Sequence, residues 1–175
     1  MLLRTVASFA CCLLLTTSAI AQQGGPAASP RETANVELKS GSIKISYGAP
    51  SLRGRKIGGE IVPYGKIWRT GANEATGFAT NTALKIGETA VPAGTYTLYT
   101  LSGASEWMLI ISKQTGQWGT EYNQPQDLAR IPMKSAKLAS PQEKMSISFE
   151  NTSGNSTELH IKWENVDESV VITAQ

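Results

Sequence analysis

The chain has 175 residues, 41% of them hydrophobic and 17% charged, and its 16 Lys and Arg against 14 Asp and Glu leave a net charge of +2. That near balance excludes nucleic-acid binding through a basic stripe and attachment through a polybasic membrane surface. The two cysteines, Cys11 and Cys12, both lie close to the N-terminus. Beyond them there is no thiol nucleophile, thiolate metal site or disulfide, so the domain must be held by a core of its own.

Arg4 followed by the apolar run Val6 to Leu15 has the build of an export signal: a positive start, then a core of about ten residues. Ala19 and Ala21 offer the small residues a signal peptidase reads, which sets residues 1–21 as a cleaved signal peptide and Gln22 as the mature start. The run is too short to span a bilayer, which takes roughly 20 residues. A periplasmic or extracellular protein, of bacterial type, is expected. Residues 22–34 are rich in Gly, Ala, Ser and Pro without an apolar period and are read as a flexible linker.

Residues 35–175 are expected to form one domain. Val36 and Leu38 alternate with polar residues, Ser40 and Gly41 turn the chain, and Ile43, Ile45 and Tyr47 continue the apolar face, which together make a hairpin. Ala83 to Ile86 and Thr89 to Val91 flank a Gly87-Glu88 turn. Pro92 to Gly94 leads into the strand Thr95 to Leu101, rich in Thr and Tyr. Trp107 to Ile111 is apolar on both faces, as in a strand covered on both sides. Pro125, Pro132 and Pro141 exclude a long helix between Glu121 and Ser140, leaving Asp127 to Lys134 as a candidate strand. Met145, Ile147 and Phe149 alternate with polar residues, as do Leu159, Ile161 and Trp163, and Val170 to Thr173 ends the pattern. The same alternation sets His160 on the solvent side, exposed. No segment carries a 3.6-residue stripe. Short strands at regular spacing predict an all-β fold, an antiparallel β-sandwich of Ig-like or jelly-roll-like kind with little helix.

Most catalytic sets are excluded. One histidine rules out a histidine-based zinc site and makes a Ser-His-Asp triad untenable. There is no Gly-x-Ser-x-Gly, phosphate-binding loop or dinucleotide fingerprint, so neither a cofactor nor a metal is expected. The unusual stretch is Pro63 to Thr76, which sets Lys66, Trp68, Arg69, Asn73 and Glu74 among small-residue breaks. Together with Arg53, Arg55 and Lys56, five cations fall between positions 53 and 69, opposed there only by Glu60. Guanidinium forks hold carboxylate and phosphate groups in fixed orientation. Convergence of Arg53, Arg55, Lys66 and Arg69 would favour a small anionic ligand, with Trp68 flooring the pocket or stacking on a sugar and Asn73 donating to an oxygen.

Two other readings stay open. The polar residues can brace an irregular crossing between sheets, with an Arg69–Glu74 ion pair under Trp68, leaving a structural or protein-interaction module. Alternatively Glu74, with Glu60 or Glu121, can act as general acid or base in a glycan-active hydrolase or lyase, which needs two carboxyls about 5 to 9 Å apart. A secondary candidate is Gln117 to Tyr122, where Trp118 and Tyr122 are either a flat platform for sugar or a cap on the sandwich end.

Tyr47-Gly-Ala-Pro-Ser-Leu-Arg-Gly-Arg55, Val62 to Thr76, Pro92 to Tyr96 and Gln117-Trp-Gly119 together resemble the secreted bacterial family called domain of unknown function 2911. The resemblance runs from about Ser29 to Val171. It implies a β-rich exported domain and brings no catalytic residue with it. Gly48 and Ala49 stand where bulkier polar residues are expected in relatives, which would trim one edge of a pocket.

Overall fold

The computed structural model describes residues 28–59 and 61–175. The expected signal peptide, the start of the expected linker and Glu60 lie outside the described residues. Eleven strands follow in order: β1 (Arg31–Leu38), β2 (Gly41–Gly48), β3 (Ile67–Trp68), β4 (Thr76–Thr80), β5 (Leu84–Ile86), β6 (Thr89–Val91), β7 (Gly94–Leu101), β8 (Met108–Ser112), β9 (Asp127–Pro132), β10 (Lys134–Ser153) and β11 (Ser156–Ala174). The helical content of the described residues is one 3-10 turn at Gln124–Gln126. None of their helices is long and apolar enough to cross a membrane.

The strands form two antiparallel sheets packed as a sandwich. The larger runs β1-β2-β4-β7-β8-β9, with β3 also pairing to β7, and the smaller runs β10-β11-β5-β6. After β4 the chain leaves the first sheet, adds the β5–β6 hairpin to the second, and returns as β7 beside β4. The alternation read from the sequence explains which faces meet: Ile43, Ile45 and Tyr47 of β2, Phe78 of β4 and Leu98 of β7 face Met145, Ile147, Leu159, Ile161 and Trp163 of the long hairpin in one core. Strands alternate inward and outward with period two, so each contributes one face.

Leu109, Ile110 and Ile111 are all fully buried. Both faces of β8 are covered because the loop after it folds back over the outer side. There Tyr99 packs edge-on against Tyr122 at 5.0 Å, and the Gln117 amide donates to Thr97 Oγ1 and the Tyr99 hydroxyl.

Three local expectations are corrected. Strand β1 begins at Arg31, inside the span read as linker, because residues 31–35 pair with β2 through to Gly48 although their exposed side chains show no apolar period. The strand segments near the C-terminus are parts of two long strands, β10 and β11, joined at Gly154. His160 does lie on the polar side of β11 but is only 8% exposed. Its Nδ1 is 2.7 Å from Asp167 and its Nε2 3.2 Å from Glu158, and the chain of contacts continues to Lys162 and Glu150. Long charged neighbours on the same face cover the ring, which alternation alone does not register. Burial classes follow side-chain size as well as direction.

Candidate functional site

The chain after β2 crosses the end of the sandwich and ties the sheets together. Leu52 N–H donates to Glu143 O, and Met145 N–H donates to Pro50 O. Arg53 enters a left-handed turn at φ 51°, and Arg55 folds back so that its Nε and Nη2 donate to Leu52 O and Ser51 O at 3.0 and 3.1 Å. This fixes the Arg55 guanidinium against its own loop.

β3 then pairs with Thr100 and Leu101, and the chain loops from Arg69 to Ala75 with left-handed residues at Thr70 and Asn73. The brace for this loop is a set of buried hydroxyls. Thr70 Oγ1 meets Thr100 Oγ1 at 3.3 Å, and Thr76 Oγ1 donates to Thr70 O at 2.9 Å, all three threonines being fully buried. The Arg69–Glu74 pair expected from the sequence does not form. Glu74 Oε2 instead accepts from Arg31 Nη1 at 3.0 Å, on an exposed surface. Threonines do the work that the charged residues were expected to do.

The backbone of the loop lies directly on β2. A Cβ on Gly48 would stand 2.3 Å from Ala72 O, and Ala72 N–H donates to Gly48 O. Gly48 therefore permits a backbone crossing, and no trimmed pocket edge is found there.

Trp68 is mostly a core residue, although its edge lines both cavities around Arg69. It is 9% exposed, stacks on Trp163 with ring centroids 5.7 Å apart and meets Trp107 edge-on at 6.3 Å. A strand side chain facing the opposing sheet in a wide gap needs this much area, so the indole fills the core and shows only its rim. Lys66 is exposed and lines neither of the cavities around Arg69.

Arg69 separates two cavities. One, of about 300 Å³, is lined by Arg55, Trp68, Arg69, Asn73, Ser29 and the rim of Trp163, among others. The other, of about 170 Å³, lies toward Tyr99, Gly119 and Tyr122. Among the described residues no carboxylate lines either. Among the described residues neither Arg55 nor Arg69 has an acidic partner within 4.0 Å, and the Nε of Arg69 is buried without a hydrogen-bond partner.

The second motif holds Arg69 in place. Gly119 N–H donates to Asn73 O at 3.1 Å, Ala75 N–H to Gln117 O at 3.4 Å, and Glu74 bridges Trp118. A Cβ on Gly119 would stand 2.2 Å from Arg69 Cδ, so the arginine stem lies flat on bare backbone. Tyr122 is half-buried rather than a free platform. Its hydroxyl donates to Asp127 Oδ2 at 2.6 Å, and burial, then the Asp127 contact, push its pKa up to about 12. Trp118 remains 49% exposed.

Residues 29–172 match the family model described as "Protein of unknown function (DUF2911)". The chain belongs to this family. No curated protein and no solved structure matches it.

In this DUF2911 domain the two segments that carry the resemblance are thus interlocked across one loop. Sequence reasoning found Arg55, Arg69 and Asn73 together. It missed Gly119, whose signal was its place after Trp118, and Arg31, concealed by the linker-like composition around it. The described residues hold no group of three or more His, Asp or Glu arranged to take a metal ion.

Proposed function

We propose that this domain binds a small anion, carboxylate or phosphate in kind, in the 300 Å³ pocket beside Arg69, and that it does so in an exported protein. The observation that carries the reading is the meeting of Arg55 and Arg69 on one pocket, with no acid lining it among the described residues. A buried guanidinium N–H without an acceptor costs about 1–3 kcal/mol, a deficit found where a ligand or water completes the set. Arg55 is pre-oriented by two backbone carbonyls, which reduces the ordering cost of binding. The volume suits a molecule at the small end of ligand pockets. Glu74 pairs with Arg31 and does not line this pocket, so a hydrolytic role for Glu74 there draws no support from the described residues.

Thermal and urea unfolding of the purified protein with inorganic phosphate, sulfate, citrate or glucuronate tests the reading. A true ligand at a hundred times its Kd should add about 2.7 kcal/mol. Arg69→Ala and Arg55→Ala should each remove the gain, and Arg69→Lys should keep only part of it, because an ammonium lacks the fork. If none of the four anions stabilises the parent beyond a chloride control, or if the gain survives both alanine variants, the reading is wrong. Without ligand, Arg69→Ala should stay well short of the roughly 3–5 kcal/mol of a broken buried pair, because Arg69 has no acidic partner among the described residues.

A further inference from the structure

The outer face of the larger sheet holds a second depression that shares no lining residue with the arginine pocket. Its floor is Gly77, in the middle of β4, with Ser46 of β2 and Thr97 of β7 in register on either side. Glycine in a strand interior costs roughly 0.5–1 kcal/mol against alanine and marks places where something approaches the backbone closely. Here neither conformation nor packing asks for it. Gly77 is not among the glycines with positive φ, and a Cβ would meet only Ser46 O, at 4.0 Å. What the missing side chain leaves is the groove itself, of about 280 Å³.

The groove is lined mostly by apolar surface, with polar groups set around it that are balanced in charge. From the β2 side Arg31 reaches over, its Nε donating to Ser46 Oγ at 3.0 Å and its Nη1 to Glu74. From the β7 side Gln117 stands on Thr97 and Tyr99, and Thr95 and Thr97 add hydroxyls. Both donors and acceptors line the groove, and the Arg31–Glu74 pair balances its own charge. Trp118 bridges Glu74 in antiparallel register, and opposed residues project to the same face. Trp118 does not itself line the groove, but it leaves the backbone on the side of Glu74, at the groove's edge, and is 49% exposed, whereas Trp68, Trp107 and Trp163 are at most 9% exposed.

We propose that this groove binds one unit of a neutral oligosaccharide. The ring lies over Gly77 with its C–H face turned toward Trp118, and its hydroxyls bond to Arg31, Glu74 and Thr95. An acidic sugar would place its charge near Glu74 and an amino sugar would meet Arg31, so the ion pair favours uncharged units. The site is independent of anion binding at Arg69.

The test is a printed array of neutral oligosaccharides (fragments of α-glucan, β-glucan, xylan, mannan and chitin) probed with the purified full chain, followed by calorimetric titration of the best binder. Gly77→Leu fills the floor without a backbone clash, and Trp118→Ala removes the platform from the surface. Each should weaken binding by about tenfold or more with an unchanged urea midpoint, while Arg69→Ala should bind as the parent does. Should Gly77→Leu fail to fold, Trp118→Ala and Gly77→Ala carry the same comparison. An array on which no neutral oligosaccharide binds overturns the proposal. So does binding that survives substitution at both Gly77 and Trp118, or that is lost in Arg69→Ala and kept in Gly77→Leu.

Discussion

Glu168 is held by one hydroxyl. It lies opposite Ser135 in the long hairpin, is 1% exposed, and both its carboxyl oxygens are within 2.8 Å of Ser135 Oγ. A hydroxyl has one proton to donate, so the second short contact is favourable only when the carboxyl is protonated and donates back. Burial, the chief cause, pushes the Glu168 pKa up to about 7, with the Ser135 hydrogen bond working against it and the Asp167 charge adding to it. The folded state therefore holds this proton more tightly than the unfolded chain, where the value is 4.5. Stability from this group is fully present below pH 4.5 and is lost as pH rises through about 7, a change of about 3 kcal/mol. Urea unfolding at pH 4.5 and pH 8 should show the parent losing about that much more than Glu168→Gln over the same interval. Parallel curves for the two proteins would contradict the protonated state. Gly119 gives a second prediction at this scale. A methyl there would crowd Arg69 Cδ, which can shift, and Asn73 O at 2.6 Å, which is backbone and cannot shift easily. Gly119→Ala should cost about 1–3 kcal/mol as overpacking, and it should also abolish anion binding by displacing Arg69, read by urea unfolding and titration of the same sample.

At the level of elements, legibility followed burial. β2, β5, β6 and β7 were readable because one face is apolar and the turns between them carry Gly or Pro, so period and punctuation agree. The first half of β10 was not. Lys134 to Ser140 is mostly exposed, and its pairing with β11 passes through register shifts after Lys137 and after Gln142, so neither period nor turn survives in the sequence. The site was legible in part for the same reason. Arg55, Arg69 and Asn73 stand out as charge and amide among small residues, but the bracing threonines look like any strand residue and Trp68 looks the same whether it packs or binds. One tie between the sheets was also hidden, since it is made by a single phenol. Tyr47 OH on β2 accepts from Ile147 N–H on β10 at 3.0 Å and donates to Glu32. Burial is the main cause that raises the Tyr47 pKa, with the Ile147 contact opposing it and Glu32 adding to it. Tyr47→Phe keeps the ring and leaves a buried N–H without an acceptor, which should cost about 1–3 kcal/mol. Amide exchange should rise at Ile147 first. Exchange that rises equally everywhere would mean that the bond matters only to global stability.

For the whole molecule, the three buried tryptophans decide how the two sheets share their stability. Trp68 belongs to β3 in the larger sheet, Trp107 precedes β8 in the same sheet, and Trp163 comes from β11 in the smaller one. The three rings touch in a single group, and the surrounding core draws residues from both sheets. Neither sheet can expose its inner face without opening that group, so unfolding should be one transition. Tryptophan fluorescence, which reports the cluster, and far-UV circular dichroism, which reports the strands, should coincide across a urea titration. Trp68→Ala should cost about 3–5 kcal/mol as a large core truncation while leaving the two probes superimposed and the slope with urea unchanged. Separated curves in the parent would mean that the sheets part before they melt. A separation created only by Trp68→Ala would instead identify the stacked indoles as the element that makes the sandwich cooperative.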